Sequence, residues 1–255
     1  MGTRWMGRWL VWLIGGLVAV MAPQALAAEK MTASPGYDVA RLIEIRPAGG
    51  KVVGPGADVM GEDLVEKIQG VPHVARVEKY LFVGVVDRAK QPPFSPLSII
   101  AGNFPAATLR VNCHNVDTVK IVQGRDFSPG DAGQKVAVVG KAYAEKYAPP
   151  GAKQISVGTT IRIVEPAMEM GGLKAALEEA TVQVVGVYDS GFRVGDNQVL
   201  LPLETAQKLF GLEGKVSKIF VIVDKPEVRD EVAEVLRETL GEEVDVVFPK
   251  LGGMR

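Results

Sequence analysis

The chain has 255 residues and is nearly balanced in charge, with 29 basic and 30 acidic side chains and a net charge of −1. This balance excludes the strongly basic surfaces that bind nucleic acid or anionic membranes through charge. The single cysteine, Cys113, cannot form an internal disulfide, so packing must stabilise the fold. The length allows one or two domains with hydrophobic cores.

The first 27 residues have the pattern of an export signal. Arg4 and Arg8 precede an apolar run at residues 9–22, and a small-residue motif ends at Ala27. The run is short for a transmembrane helix, which needs about 20 apolar residues. We therefore predict export to the periplasm or the extracellular space, with cleavage between Ala27 and Ala28. The alternative is membrane anchoring by residues 9–22.

Cleavage would change the composition of the mature protein. Arg4 and Arg8 are two of the 29 basic residues and no acid precedes Ala28, so 27 basic and 30 acidic residues would remain. All three tryptophans lie in the signal. A carbohydrate site built on stacked indoles is therefore excluded in the mature chain.

The N-terminal part of the mature chain is predicted to form one βαβ unit, at residues 38–92. It follows a small, polar leader at 28–37. A β-rich run predicts a strand at 39–45. Apolar residues at three-to-four spacing predict a helix at 62–69, and loose alternation predicts a strand at 74–86.

The middle of the chain, residues 93–214, is predicted to be rich in β-structure. Apolar and β-branched runs predict strands at 97–100, 135–140, 160–164, 181–187 and 198–201. Short helices are predicted at 142–147, 173–180 and 203–210.

The C-terminal part repeats the βαβ order. It has a β-branched strand at 216–223, a helix from Pro226 through Leu240 and a last strand at 244–248, followed by a tail at 250–255. Two βαβ halves commonly combine into a four-stranded sheet with both helices on one face. The predicted fold class is therefore α+β. A split βαβ, ferredoxin-like subdomain formed by residues 38–92 and 215–249 carries residues 93–214 as an inserted β-rich subdomain.

Several phrases in the middle of the chain, in this order, resemble the periplasmic core domain of MacB-type ABC transporter permeases. They are 99–105 (IIAGNFP), 122–127 (VQGRDF), 136–140 (VAVVG), 157–163 (VGTTIRI), 184–188 (VVGVY) and 199–203 (VLLPL) with 206–211 (AQKLFG). The resemblance runs from about Val39 to Val247. It implies that the split βαβ pair is similar to the family's porter subdomain and that the inserted part is similar to its sabre subdomain.

The resemblance also implies a function. In that family, cytoplasmic ATP hydrolysis moves the transmembrane helices, and this domain carries the motion to an extracytoplasmic partner. A family permease has one transmembrane helix before the domain and three after it. This sequence instead begins with a signal-like segment and ends at Arg255, so we expect a domain that occurs without the permease helices. The sequence has no Walker motifs, and the ATPase would be a separate polypeptide.

We therefore expect a non-enzymatic accessory component of an ABC-type transport or mechanotransmission system. It would act by contact with an ABC permease, its ATPase or an envelope adaptor protein, and not with nucleic acid. Membrane proximity would come through a partner or through an uncleaved N-terminal helix. The alternative function is a free-standing envelope protein that binds a small ligand or lipid between its two subdomains. A hydrolase is a third hypothesis.

Two loops combine an arginine with an aromatic side chain, as interface anchors do. The phrase at 124–127 predicts a turn that specifies the fold, with Phe127 facing inward. The loop at 191–197 is the better interface candidate. We predict that four of its residues contact a partner: Phe192, Arg193, Asp196 and Asn197.

No pattern of residues predicts catalysis, a cofactor or a metal site. The turn at Gly140 and Lys141 lacks the first glycine and the hydroxyl residue of a phosphate-binding loop. Cys113 and His114 are adjacent, but the only other histidine is His73, and a structural zinc ion usually takes four Cys or His ligands. Neither a Gly-x-Ser-x-Gly elbow nor a His-Glu-x-x-His helix occurs.

Overall fold

The structure is a computed structural model that describes residues 38–50, 58–87, 97–102, 119–163, 168–170, 181–191 and 195–249. All of these residues belong to one compact unit. The predictions for the signal, the leader at 28–37, the helix at 173–180 and the tail at 250–255 lie outside the described residues.

The described elements are mostly strands, with four α-helices between them. The strands are β1 (Leu42–Pro47), β2 (Met60–Gly61), β3 (Val74–Asp87), β4 (Leu97–Gly102), β5 (Lys120–Gly124), β6 (Val136–Gly140), β7 (Thr160–Arg162), β8 (Met168–Met170), β9 (Thr181–Asp189), β10 (Gln198–Pro202), β11 (Lys215–Val216), β12 (Lys218–Val223) and β13 (Val244–Val247). The α-helices are α1 (Leu64–Gln69), α2 (Lys141–Lys146), α3 (Leu203–Phe210) and α4 (Arg229–Leu240). This mixture confirms the predicted α+β class.

Eleven of the described strands form one mixed sheet. Its order is β13-β1-β12-β3-β4-β10-β6-β9-β5, with β7 also paired to β9 and β8 to β3. The first four strands are antiparallel neighbours and come from the two ends of the described chain. The two predicted βαβ halves therefore share a sheet, in the order expected for a split βαβ pair.

Both helices of these halves cover the same face of the four strands. Helix α1 packs against β3, α4 packs against β1 and β13, and the two helices contact each other. Ile68 of α1 and Leu236 of α4 are buried in one cluster with Ile43 and Ile45 of β1. Because side chains alternate along a strand, Leu42 and Glu44 face the opposite side of the sheet.

Strand β3 joins the predicted split βαβ subdomain, called the base from here on, to the predicted inserted subdomain at 93–214. Its residues Val74–Tyr80 pair with β12, Tyr80–Val85 pair with β4, and Val85–Asp87 also pair with β8. The sheet therefore continues from residues 38–92 into residues 93–214 without a break. The subdomain boundaries themselves stay a prediction.

Several elements differ in their bounds from the sequence expectation, and three of the differences have a visible structural cause. The predicted strand at 216–223 is interrupted at Ser217, which is fully buried and whose hydroxyl accepts a hydrogen bond from the backbone N–H of Phe82 at 3.1 Å. The first strand starts only at Leu42, after a 3₁₀ turn at Val39–Arg41. The last helix begins at Arg229, after a 3₁₀ turn at Pro226–Val228. Strand β5 was not predicted.

The face of the four strands opposite α1 and α4 carries buried charges. Glu44 and Lys218 lie 3.2 Å apart, with only 10% and 12% of their side chains exposed. Arg76 pairs with Glu78 at 3.0 Å, and the hydroxyl of Tyr80 donates to Glu78 at 3.2 Å. Burial raises the pKa of Tyr80 well above its ordinary value, so it remains the donor. Each buried charge thus has a partner, as burial requires.

Candidate interaction site

The loop between β9 and β10 lies at the end of the sheet where α2 begins. Strand β6 runs parallel to β9, and their register places Gly140 opposite Tyr188. Strand β10 pairs with β6 on its other side. The first turn of α2, the end of β9 and the start of β10 therefore meet at one end of the sheet.

Asp196 anchors this loop from inside. Only 5% of its surface is exposed. The backbone N–H of Ser190 and its hydroxyl donate to Oδ1 of Asp196 at 2.7 and 2.6 Å. The carbonyl of Asp196 accepts a hydrogen bond from the N–H of Tyr143 at 2.9 Å. The hydroxyl of Tyr188 donates to the carbonyl of Gly195 at 2.6 Å. These bonds fix both ends of the loop to β9 and α2.

Gly140 lets the loop approach the start of α2. A Cβ atom at this position would lie 2.1 Å from the carbonyl oxygen of Asp196 and 2.4 Å from its carbonyl carbon. Real Cβ atoms do not come this close to backbone. Other residues also adopt its backbone angles, φ −71° and ψ 151°. Glycine is therefore required here because the backbone of Asp196 lies so close, and not because of its conformation.

A lysine and two carboxylates set the electrostatics beside the loop. Lys141 Nζ lies 3.0 Å from Oδ2 of Asp189, and Oδ1 of Asp189 accepts from the N–H of Gly191 at 2.8 Å. These two bonds lower the pKa of Asp189. Burial raises the pKa of Asp196, with the charge of Asp189 adding to the rise, although the bonds from Ser190 oppose it. The lysine and Asp189 also contact solvent.

The structure describes two of the four predicted contact residues. Asp196 faces inward and shapes the loop, and Asn197 is half-buried. Phe192 and Arg193 lie outside the described residues. The sequence analysis missed the pair formed by Lys141 and Asp189 and the bonds from Ser190 to Asp196. One sequence signal could have indicated this turn: Asp-Ser-Gly stands at the end of a predicted strand. Asp and Ser side chains commonly form hydrogen bonds with nearby groups at turns.

Residues 124–127, which the sequence predicted to form a fold-specifying turn, lead from the end of β5 towards a 3₁₀ turn at Pro129–Asp131. Their role in specifying the fold stays a prediction. The guanidinium of Arg125 donates to both carboxylate oxygens of Asp131, at 2.6 and 2.8 Å. The N–H and hydroxyl of Ser128 donate to the same carboxylate at 2.7 and 2.8 Å. Phe127 faces inward as predicted: it packs, partly buried, against the cluster that contains Leu42, Tyr80 and Phe220.

The Arg125–Asp131 pair predicts a specific pH dependence. Hydrogen bonds from the Arg125 guanidinium, with smaller contributions from the N–H and the hydroxyl of Ser128, hold the pKa of Asp131 far below its ordinary value of about 3.9. The pair therefore stabilises the fold above pH 4, and this contribution is lost as the pH falls towards the lowered pKa. Asp131→Asn should lower the unfolding free energy by about 2 kcal/mol at pH 7. Urea titrations should show the difference from the parent protein shrinking below about pH 4.

Asp230→Asn is the matched control for that titration. Asp230 also pairs with an arginine, but 77% of its side chain is exposed. Surface pairs of this kind contribute less than about 1 kcal/mol. An Asp131→Asn effect no larger than that of Asp230→Asn, or one that stays constant down to pH 3, would contradict a stabilising role of the Arg125–Asp131 pair.

The described residues contain no group of three or more His, Cys, Asp or Glu side chains placed to hold a metal ion. His73 has a left-handed backbone, φ 68°, and its Nδ1 lies 3.1 Å from Asp224. The carbonyl of His73 accepts from the N–H of Asp224, so this pair joins two turns. Cys113 and His114 lie outside the described residues. No helix in the described part of the chain is long and apolar enough to cross a membrane.

Comparison with known proteins identifies a family and a fold. The family model for the MacB-like periplasmic core domain matches residues 13–239. No protein among those with curated functions matches the chain. The extracellular domain of the noncanonic ABC-type transporter YknZ from Gram-positive bacteria superimposes with a TM-score of 0.52 at 17% identity, over 81% of this chain and 99% of that one.

The periplasmic region of MacB from Actinobacillus actinomycetemcomitans superimposes equally well. Its TM-score is also 0.52, at 12% identity, over 82% of this chain and 89% of that one. At these identities the two structures establish the fold alone.

Proposed function

The chain belongs to the family of MacB-like periplasmic core domains of ABC-type transporters, and we propose that it is an exported, non-enzymatic accessory component that works by protein contact. Its partners are an ABC permease, its ATPase or an envelope adaptor protein. The family match carries this proposal, because it covers most of the chain. The N-terminal pattern supports export, with cleavage between Ala27 and Ala28.

The shared strand supports a role in transmitting motion. Strand β3 pairs with β12 along its first half and with β4 along its second half. A displacement of the base is therefore carried along one hydrogen-bonded strand into the middle of the chain. Packed sheets move as bodies because their interiors are dense and resist compression.

A network of side-chain hydrogen bonds also connects residues 38–92 with residues 93–214. Glu62, just before α1, accepts hydrogen bonds from Lys79 of β3 and, at 2.8 Å, from the amide of Gln207 in α3. Gln207 also donates to the carbonyl of Lys215 at 3.0 Å and is 6% exposed. Burial alone would raise the pKa of Glu62, but the bonds from Lys79 and Gln207 lower it, so the carboxylate is charged at neutral pH.

The loop at 191–197 is the proposed contact with the partner. Its two described ends are held by hydrogen bonds of Asp196, Ser190 and Tyr188. A partner that contacts these ends meets groups that are already fixed, which lowers the conformational entropy lost on binding. The charged groups beside the loop help to hold its start in place: Asp189 accepts hydrogen bonds from Lys141 and from the N–H of Gly191. This use of the charges supports a contact role over catalysis.

In-cell photo-crosslinking tests this function. A photoreactive amino acid in place of Asn197 should join the protein to an ABC permease or an envelope adaptor, identified by mass spectrometry of the adduct. The same spectra should show a mature N-terminus at Ala28. A protein that starts at Met1, or one that forms adducts only with unrelated proteins, would contradict the proposal.

A further inference from the structure

Strand β3 changes its partners at the place where the base meets the inserted subdomain. On one edge it pairs with β12 from Val74 to Tyr80, and on the other edge it pairs with β4 from Tyr80 to Val85. Tyr80 is therefore the one β3 residue with a register partner in both of these strands. Beyond Tyr80, the edge that β12 leaves meets another described strand only at Val85, where β8 begins to pair.

Ser217 continues the hydrogen bonding along this edge of β3. Its backbone N–H donates to the carbonyl of Tyr80 at 2.7 Å, and its hydroxyl accepts from the N–H of Phe82 at 3.1 Å. The hydroxyl also donates to the carbonyl of Phe82 at 3.4 Å. Backbone groups two residues apart along a strand point to the same edge. At Phe82, the side chain of one serine thus takes the place of a partner strand.

The same serine connects the two parts of the chain. Strand β11, directly before Ser217, pairs with β2, and β12, directly after it, pairs with β1 and β3. These pairings hold Ser217 on the base. Phe82, to which its hydroxyl bonds, pairs on its other edge with Ile100 of β4, the first described strand of the inserted subdomain. The hydroxyl therefore links the base to the part of β3 that carries the inserted subdomain.

The junction around this bond is dry. Ser217 is fully buried, and so are its apolar neighbours along β3 and β4: Leu81, Ile99 and Ala101. A buried N–H that loses its acceptor bears the full cost of desolvation, because solvent does not reach it. The bond between Phe82 and Ser217 is therefore strongly favoured over an open junction.

We propose that the Ser217 hydroxyl stiffens this junction and sets how closely the inserted subdomain follows the base. Without the hydroxyl, the ladders on the two edges of β3 overlap at Tyr80 alone, and the strand bends most easily there. With it, the bonded edges overlap across residues 80–82. The bond from Gln207 to Glu62 is a second connection, so loss of the hydroxyl loosens the junction without separating the two parts.

The use of this stiffness in the cell rests on the proposed role in transmitting motion. The stiffness itself is a property of the isolated protein. A negative result in the tests below therefore leaves the proposed contact with a transporter standing, since that contact is tested by crosslinking.

Hydrogen exchange tests the bond first in the parent protein, without any substitution. The N–H of Phe82 should exchange as slowly as the bonded N–H groups inside the ladder of β12 and β3, although no described strand pairs with it on that edge. Ser217→Ala, which removes only the hydroxyl, should speed this exchange by about tenfold or more. Rapid exchange at Phe82 in the folded parent protein would overturn the proposal.

Pulsed electron paramagnetic resonance tests the stiffness. Spin labels at Glu231 on α4 and at Lys153 in the inserted subdomain, both exposed, report the separation of the two parts in a Cys113→Ser background. Ser217→Ala should broaden the distribution of distances between the labels beyond that of the parent protein. A distribution as narrow as that of the parent would overturn the proposal.

Thr205→Val is the matched control for these distances. Thr205 is 2% exposed, and its hydroxyl donates to the carbonyl of Gln134 at 2.7 Å, within the inserted subdomain. Its replacement also removes one buried hydroxyl bond, so it should lower stability to urea much as Ser217→Ala does. It should leave the distances between Glu231 and Lys153 unchanged. Equal broadening in both variants would show that Ser217 only stabilises the fold, and would overturn the proposal.

Discussion

Replacing Glu44 with alanine should lower the free energy of unfolding by about 3–5 kcal/mol. The substitution leaves the Lys218 ammonium without its partner at 3.2 Å, at a position where only 12% of the lysine side chain is exposed. A buried, unpaired charge costs far more than the pair gains, because the desolvation penalty remains after the attraction is removed. Urea denaturation at pH 7 measures the loss.

A second variant separates the charge effect from the loss of packing. Combining Glu44→Leu with Lys218→Met replaces the ion pair by apolar groups of similar size, and should recover most of the stability. Glu234→Ala is the surface control: its side chain is 71% exposed and pairs with Arg237 at 2.6 Å, so its removal should change the free energy by less than about 1 kcal/mol. A Glu44→Ala loss as small as that of Glu234→Ala would show that the face of the sheet opposite α1 and α4 is solvated.

Replacing Gly140 with alanine should both destabilise the protein and displace the loop at 189–197. The new Cβ would meet the backbone of Asp196 at 2.1 Å, and backbone cannot rotate away as a side-chain end can. We expect a loss of about 2–3 kcal/mol, as for other overpacked positions. Hydrogen exchange should be faster at Tyr143 and Ser190, whose N–H groups bond to Asp196.

Gly130→Ala provides the matched glycine control. The nearest atom to a Cβ at Gly130 is the hydroxyl of Ser128 at 3.9 Å, and its φ is not left-handed. Its stability should stay within about 0.5 kcal/mol of the parent protein. Equal stability of the Gly140→Ala and Gly130→Ala variants, with unchanged exchange at Ser190, would contradict the close approach.

The base of the fold could be predicted because its signals are local. The β-branched run before Pro226 and the spacing of Val232, Leu236 and Leu240 each specify one element, and βαβ halves have few ways to combine. The interruption at Ser217 could not be predicted in this way. It depends on Phe82, which lies far away in the sequence and supplies the backbone N–H that the serine accepts.

The site was harder to predict for the same physical reason. The sequence around Asp196 is typical of an exposed loop. In the structure its carbonyl accepts a hydrogen bond from Tyr143 of α2, and its carboxylate accepts one from Ser190, just after β9. The need for glycine at position 140 arises from that contact and leaves no local pattern. Strand β5 alternates over only five residues at a sheet edge, a pattern too short to separate from a loop.

Photo-crosslinking from position 197 tests the central claim most directly, because it asks whether this end of the sheet meets a transporter in the cell. Val235 on α4, on the far helical layer, is the comparison position. We predict an adduct with an ABC permease or an envelope adaptor from position 197, a much weaker one from position 235, and a reduced yield in the Gly140→Ala background. Equal yields from both positions, or no transporter component in the adducts, would contradict a role by contact in ABC-type transport.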